Sequence, residues 1–400
     1  MITIPTVDEL HLGPETRVFY RVDYNVPLEN GAVSDATRIE ETLPTIRMMR
    51  ERGARIILAS HLGRPKGAVN SKDSLQPVLL KLSELSGLDV KWGGDCIGEE
   101  ARRLASELKP GELLLVENLR FHAGEEKNDK EFAAKLRELG DVYVNDAFGA
   151  SHRAHASIVA LAELFPKENR AGGILLAKEL EFLQKVTDVS ERPFVAILGG
   201  AKIAGKIEPL EVMVNLADSV LIGGGMANTF WASQGKSMGA SLVDADSLPV
   251  AARILTGKHQ ATIVLPEDFT VTDSIEGPTA IHAADLDPGI DAGWMAVDIG
   301  SRTIAKFTEI IAEAKTIFWN GPMGVFEKEA FASGTHAIAK AIAENAGAVS
   351  VVGGGESVEA VKESGFADKI THISTGGGAS LEFIAGRPLP GIEVLRHRSS

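Results

Sequence analysis

FVAILGGAK (194–202) is an apolar run, Phe194 to Leu198, that stops at two glycines and a lysine. Five further runs in the second half of the chain stop at a polar or glycine-rich turn: SVLIGGGMAN (219–228), TIVLPED (262–268), TIFWNGP (316–322), SVVGGGES (350–357) and THISTGGGAS (371–380). Four of these turns carry paired or triple glycines. Glycine after a buried strand lets backbone come close to a ligand with no Cβ in the way. A helix starting there adds its positive end, which suits phosphate. Four such turns on strands of similar length point to one rim of a sheet built to hold a polyphosphate.

The first half also alternates strand and helix. Apolar runs stand at RVFYRVDY (17–24), RIILASH (55–61), ELLLVEN (112–118) and DVYVND (141–146). Between them, Ile39, Leu43, Ile46 and Met49 recur at helical spacing and predict one helical face over 38–52. Alternation throughout predicts an α/β protein with parallel sheets covered by helices on both faces. Pro166 and Pro193 bracket AGGILLAKELEFLQKV, with Leu176, Leu180 and Leu183 on one side. That segment reads equally as a connector between domains or as one more packing helix.

At 400 residues the chain exceeds a single core, so two domains are expected. A net charge of −14 argues against nucleic acid as the main partner. Cys96, the one cysteine, rules out an intramolecular disulfide or a cysteine-rich metal site and fits a reducing cytoplasm. Pro5, Asp8 and Glu9 stand where a secretory leader needs an apolar stretch. The longest uncharged stretch, between Asp218 and Lys236, is broken by glycines, Asn228 and Gln234, so no membrane span is expected.

The strand ends of the two halves differ in chemistry. Those of the first half carry Asp23 and Asn25, then Arg38 at the next helix start, His61 and Arg64, Arg120 and His122, His152 and Arg153. Ligands of parallel α/β sheets bind outside the carboxyl ends of the strands. Each arginine taken singly reads as a solvated surface residue. Four of them just past apolar runs point to a small anion held by planar guanidinium forks. In the second half, Lys202 and Lys206 follow the first glycine turn at i, i+4, predicting a shared helix face beside a phosphate chain. The alternative is a solvated lysine face. Glu356, after Gly353 to Gly355, is placed to reach a magnesium ion on the phosphates, and Glu327, past Asn320 to Pro322, to accept from a ribose. No stretch reads G-x-x-x-x-G-K-[ST], and none completes G-x-G-x-x-G. A P-loop mechanism and a dinucleotide-dependent oxidoreductase are therefore disfavoured. An anion site in one domain and a polyphosphate site in the other suggest phosphoryl transfer between two bound partners. A non-catalytic anion-binding scaffold on the same fold is the competing reading.

RVDYNVPL (21–28), SHLGRPKG (60–67), ENLRFH (117–122), VNDAFGASHRAHAS (144–157), LGGAKIAGKI (198–207), IGGGMANTF (222–230), FWNGPMGVFE (318–327), VGGGES (352–357) and ISTGGGASLEF (373–383) together resemble the phosphoglycerate kinases. The resemblance runs in order from about residue 17 to residue 395. It implies two Rossmann-like domains: residues 1–170 binding 3-phosphoglycerate or 1,3-bisphosphoglycerate, with 388–400 returning to them, a connecting helix at 171–187, and 188–387 binding Mg-ADP or Mg-ATP. The implied glycerate-binding residues are Asp23, Asn25, Arg38, His61, Arg64, Arg120 and Arg153. The implied nucleotide-binding residues are Lys202, Lys206, Gly223, Gly224, Asn320, Pro322, Glu327, Gly354, Gly355, Glu356, Ser357 and Gly376. Arg38, Lys206, Gly377 and Gly378 fall on the positions that stabilise the transferring phosphoryl, and Glu356 on the magnesium position. A cytoplasmic monomer needing domain closure, without nucleic-acid or membrane partners, completes the expectation. Glu356-Ser357 departs from a common Asp-Thr, Asn228 from a usual aromatic and Ser301 from a common proline.

Overall fold

The computed structural model describes residues 2–189 and 191–396. The β-branched and leucine-rich runs of the first half form a six-stranded parallel sheet from β1 (Arg17–Arg21), β2 (Arg55–Ala59), β3 (Val90–Trp92), β4 (Leu113–Leu115), β5 (Val142–Asn145) and β6 (Arg170–Gly172). Its order is β3-β4-β2-β1-β5-β6. The chain therefore proceeds to one side of β1 and then crosses to the other, so the direction of winding reverses between β1 and β5. Val18, Tyr20, Ile56, Leu58, Leu113 and Val144 are buried in the apolar cluster on one face. Runs buried on both faces are what a helix-covered parallel sheet requires.

The helical face over 38–52 is present, but as two helices, Thr37–Glu40 and Leu43–Glu51. Pro44 lies in the first turn of the second. Proline has no N–H to continue the preceding helix, so the chain restarts there. The Thr42 hydroxyl donates to the carbonyl of Ile39 across the break. Ile39, Leu43, Ile46 and Met49 are all buried nonetheless.

The second half forms β7 (Phe194–Leu198), β8 (Ser219–Ile222), β9 (Thr262–Val264), β10 (Asp268–Thr272), β11 (Ile281–Asp285), β12 (Met295–Ile299), β13 (Thr316–Asn320), β14 (Val349–Gly353) and β15 (His372–Ile373). Six of them make a second parallel sheet in the order β9-β8-β7-β13-β14-β15. Here the reversal falls between β7 and β13. The other three pair antiparallel as β11-β10-β12 around a small cluster of Phe269, Val271, Leu286 and Ile290. This sheet corrects the expectation of parallel sheets throughout. Exposed, polar β11 (IHAAD) gives no apolar run to read.

By internal contacts the chain divides into a unit that runs to Glu181 and resumes at Pro388, and a unit spanning Phe182–Arg387. The helix Ile174–Thr187 is shared by both. Ala171 and Gly172, expected at the start of that helix, instead end strand β6. Gly173 is required there, because a Cβ would lie 2.1 Å from Asp146 Oδ2. Asp146 Oδ1 accepts from the Leu176 N–H at 2.8 Å and satisfies the helix start. Near the other end of the chain, the Gly391 N–H donates to the Ser151 carbonyl at 2.9 Å. Residues 397–400, part of the expected return segment, lie outside the described residues.

Candidate active site

The carboxyl ends of β1, β2 and β4 present the charged residues of the first unit. Asp23 and Asn25 follow β1, where the winding reverses. The Asp23 carboxylate meets Arg38 Nη1 at 3.0 Å, and Arg38 also donates to the Asn25 carbonyl at 3.2 Å. Asn25 Oδ1 accepts from the Gly63 N–H at 2.9 Å, and the Gly63 carbonyl accepts from Arg120 Nη1 at 2.8 Å. One chain of bonds thus links three strand ends. Burial opposes ionisation of Asp23, but its neighbours, Arg38 foremost, outweigh it and hold the carboxyl below its usual range. Arg120 is 7% exposed; its Nε has no hydrogen-bond acceptor but stands 3.6 Å from the Glu126 carboxylate, an ion pair longer than a hydrogen bond. A buried cationic donor whose hydrogen bond is unmade can still give it to an anion.

Of the seven residues expected around the glycerate anion, Asp23, Asn25, Arg38, His61 and Arg120 come together in this network. Arg153 is exposed but close enough to Arg120 to act on it electrostatically. Arg64 is exposed on the turn after His61 and makes no hydrogen bond or ion pair with a described residue. His122 turns away from the group and bonds Asp95 at 2.6 Å. Arg21 was not singled out in the sequence, although an arginine inside an apolar strand was a signal: it is completely buried beside His61.

In the second unit, the loops after β7, β8, β13, β14 and β15 lie on one rim of the sheet. They are tied to each other: Gly199 N–H donates to the Asn320 carbonyl, Gly200 N–H to that of Pro322 and Gly224 N–H to that of Met323. These amides are consumed within the protein, so the first glycine turns do not offer them to a ligand as expected. They let loops touch. A Cβ on Gly224 would stand 2.8 Å from the Gly200 backbone, and its φ of +61° is left-handed as well. Asn320 is similarly structural: its side-chain amide donates to the Gly353 carbonyl at 2.8 Å. Ser357, expected on the phosphate, is buried with its hydroxyl accepting from the Gly321 N–H.

Lys202 and Lys206 do not share a helix face. Both precede the helix Ile207–Leu216, with Lys206 at its cap position. Gly205 in the left-handed region, φ +83°, accounts for the delay. Lys202 is exposed, whereas Lys206 folds inward and donates to the Gly199 carbonyl at 2.7 Å. Burial pulls its ammonium down to about 8, against the opposing pull of Glu356. Glu356 lies in the uncapped first turn of the helix Gly355–Glu363, whose start is set by Gly354 at φ +91°. Gly376, Gly377 and Gly378 form the turn before the short helix Gly378–Ile384, where Gly377 and Gly378 face open space.

Beside this rim is a pocket of about 200 Å³ lined by Gly200, Gly224, Pro322, Glu327 and Glu356. Its other wall is apolar: Leu242, Phe269, Met295, Val297 and Met323. Phe269, Met295 and Val297 come from the antiparallel sheet that sequence reading missed. Asn228 also lines it, with its amide donating to the Leu242 carbonyl. A flat apolar ring fits between such walls, with its polar groups toward the rim. Among the described residues Glu356 is the carboxylate whose charge acts on Lys206. That suits a magnesium ion held mainly by phosphate oxygens and water, which takes only one or two protein carboxylates.

The family model described as phosphoglycerate kinase matches residues 7–387. The chain is 52% identical to the phosphoglycerate kinase of Koribacter versatilis over 402 residues, covering 98% of this chain and 99% of that one. With the phosphoglycerate kinase of Acidobacterium capsulatum the identity is 51% over 391 residues, covering 95% and 96%. The structure is similar to that of phosphoglycerate kinase from Coxiella burnetii, with a TM-score of 0.88, 36% identity and full coverage of both chains. Against the phosphoglycerate kinase of Pyrococcus horikoshii OT3 the TM-score is 0.87 with 36% identity over 98% of each chain.

Proposed function

Because the chain belongs to the phosphoglycerate kinase family, we propose that the charged rim of the first sheet holds the phosphoglycerate and the glycine-bearing rim of the second holds the nucleotide. The enzyme transfers a phosphoryl group from 1,3-bisphosphoglycerate to ADP. Asp23, Asn25, Arg38, His61, Arg64, Arg120 and Arg153 take the glycerate anion. The apolar pocket takes the base, Glu327 the ribose, and Lys202, Lys206, Gly354, Gly355 and Gly376 the phosphates. Asn320 and Ser357 hold the loops that frame them.

An acyl phosphate and an ADP oxygen are both anionic, so no general base is required. The barrier falls through positive charge around a loose phosphoryl and through alignment of the partners. Arg38 supplies charge from the first unit; Lys206 and the amides of Gly377 and Gly378 supply it from the second. Magnesium, when bound with the nucleotide at Glu356, neutralises phosphate charge. The rims belong to different units, so we assign transfer to a closed state that excludes water, with the helix Ile174–Thr187 as connector. A monomer working in the cytoplasm completes the proposal; among the described residues no helix is long and apolar enough to cross a membrane.

The observation that carries this reading is Lys206. It is a half-buried ammonium held by a carbonyl, with no carboxylate at ion-pair distance among the described residues. A cation that Glu356 compensates only in part points to an anionic ligand. Titration calorimetry tests the division of labour. Arg120→Ala should weaken 3-phosphoglycerate binding by about 1.5–3 kcal/mol and leave Mg-ADP binding unchanged; Lys206→Met should do the reverse. Equal losses for both ligands in both variants would refute it.

A further inference from the structure

Arg21 ends strand β1 with no solvent exposure, and the reading above gives it no task. Its Nε donates to Ser157 Oγ at 2.8 Å, its Nη1 to the Val22 carbonyl, and its Nη2 meets His61 Nδ1 at 3.2 Å. Glu125, 3.9 Å away, balances its charge and is itself held by the N–H and hydroxyl of Ser157. The guanidinium is thus fixed on every side. A guanidinium offers only donors and keeps its proton in a protein. His61 Nδ1 must therefore be the acceptor of this contact. The rival partner of the same nitrogen, Asp23 Oδ1, is 3.8 Å away, beyond hydrogen-bond reach. A proton on Nδ1 would lack an acceptor and would face the Arg21 donor.

We infer that Arg21 is a positioning residue that fixes His61 in the neutral tautomer with its proton on Nε2, so that the ring offers a phosphoglycerate anion a donor that stays the same across the physiological pH range. The inference rests on the placement of His61 in the glycerate site. The surroundings of the ring agree with it. Burial disfavours the imidazolium first; Asp23 favours it; Arg21, Arg120 and Arg38 disfavour it, and the ring stays well below the usual histidine range. A histidine free to titrate would change charge near pH ~6.5, close to the second ionisation of a phosphate monoester at about 6. With Arg21 in place only the ligand ionises there.

The test is ring-nitrogen NMR on protein labelled with nitrogen-15 in histidine, read from about pH 5 to about 8. Expected is a single His61 signature with Nε2 protonated and Nδ1 bare at every pH. In the double variant Arg21→Met, Glu125→Gln, which removes the pair together and is checked for folding by circular dichroism, His61 should populate both tautomers and titrate. The KM for 3-phosphoglycerate should then become pH-dependent and rise about tenfold or more at the alkaline end, while kcat moves far less. Wild-type protein with Nδ1 protonated, a wild-type His61 that titrates in this range, or a folded double variant that keeps the wild-type signature would each overturn the inference. His61→Gln separates the two levels of the argument. If it binds 3-phosphoglycerate like wild type, the substrate role of His61 falls, and the NMR signature still decides the role of Arg21.

Discussion

Replacing Lys206 by methionine should stabilise the unliganded protein at neutral pH. The fall of its ammonium from 10.5 to about 8, at about 1.4 kcal/mol per pH unit, means that about 3 kcal/mol opposes folding while the residue is charged. Methionine fills a similar volume without charge. It loses the bond to the Gly199 carbonyl, a loss of about 1 kcal/mol, which leaves a net gain of about 1–2 kcal/mol. For a unit the size of Phe182–Arg387 that is a rise in midpoint of about 2–8 °C.

The sign of the pH dependence follows from the direction of the shift. The folded pKa lies below the unfolded one, so between pH 8 and 10.5 the unfolded chain binds more protons and wild-type stability climbs with pH. Below pH 8 the penalty is fully in place. The advantage of Lys206→Met should therefore be complete at neutral pH and vanish or reverse by about pH 10.5. Urea unfolding followed by tryptophan fluorescence suits the measurement, since Trp231, Trp294 and Trp319 all lie in the second unit. The ledger should invert with Mg-ADP, which restores the charge its counterpart. A variant less stable than wild type at neutral pH, or an advantage unchanged at alkaline pH, would refute the idea of a half-buried, partly compensated cation.

Three other outcomes are expected. Arg38→Ala should lower kcat by about 10³ or more, as for arginines that stabilise a transferring phosphoryl, with much smaller changes in binding of either single substrate; Arg38→Lys should recover little because a point charge cannot replace the fork. Glu356→Gln should weaken Mg-ADP binding far more than binding of metal-free ADP in calorimetry, and equal losses would remove the carboxylate from the metal. Gly224→Ala should cost at least about 1–3 kcal/mol for the left-handed backbone alone and more for the contact with the Gly200 backbone; a midpoint within error of wild type would sink the close-approach argument.

The parallel sheets were legible because their strands are buried on both faces and read as continuous apolar runs ending at marked turns. FVAIL and TIFWN are fully buried strands of that kind. Short β3 (VKW) and β6 (RAG), with charges inside them, gave no such run. The antiparallel sheet was hidden because β11 is mostly solvent-facing, so neither alternation nor continuity marks it. That gap carried over to the site: the sequence indicated the rim through its glycines but not the apolar wall from Phe269, Met295 and Val297. Residue types marked which charged groups stand at the strand ends, while their task depends on neighbours far along the chain. Asn320 and Ser357 look like ligand groups in sequence, and each also bonds an adjacent loop, Asn320 by donating to the Gly353 carbonyl and Ser357 by accepting from the Gly321 N–H. Arg21 looks like a strand residue and instead controls the polar face of His61.

The cations of both rims are held in a common way that bears on why transfer is efficient. Arg120 is oriented by the Gly63 carbonyl, Lys206 by that of Gly199, Arg21 in part by that of Val22, and Arg38 by that of Asn25. A carbonyl fixes the direction of a donor without cancelling its charge, whereas a carboxylate at the same place would neutralise the field that a phosphoryl needs. For two of these cations the nearest carboxylate stands beyond hydrogen-bond reach: Glu125 at 3.9 Å from Arg21, which lies beside His61, and Glu126 at 3.6 Å from Arg120. Arg38 is the exception, with the Asp23 carboxylate at 3.0 Å. Lys206, which has no carboxylate at ion-pair distance among the described residues, is costly in the unliganded enzyme, as its depressed ammonium shows, and an arriving anion relieves that cost. Binding of the anion and loss of the penalty are then one event, which places favourable electrostatics at the moment the phosphoryl needs them and leaves the unliganded protein less stable than its fold would permit.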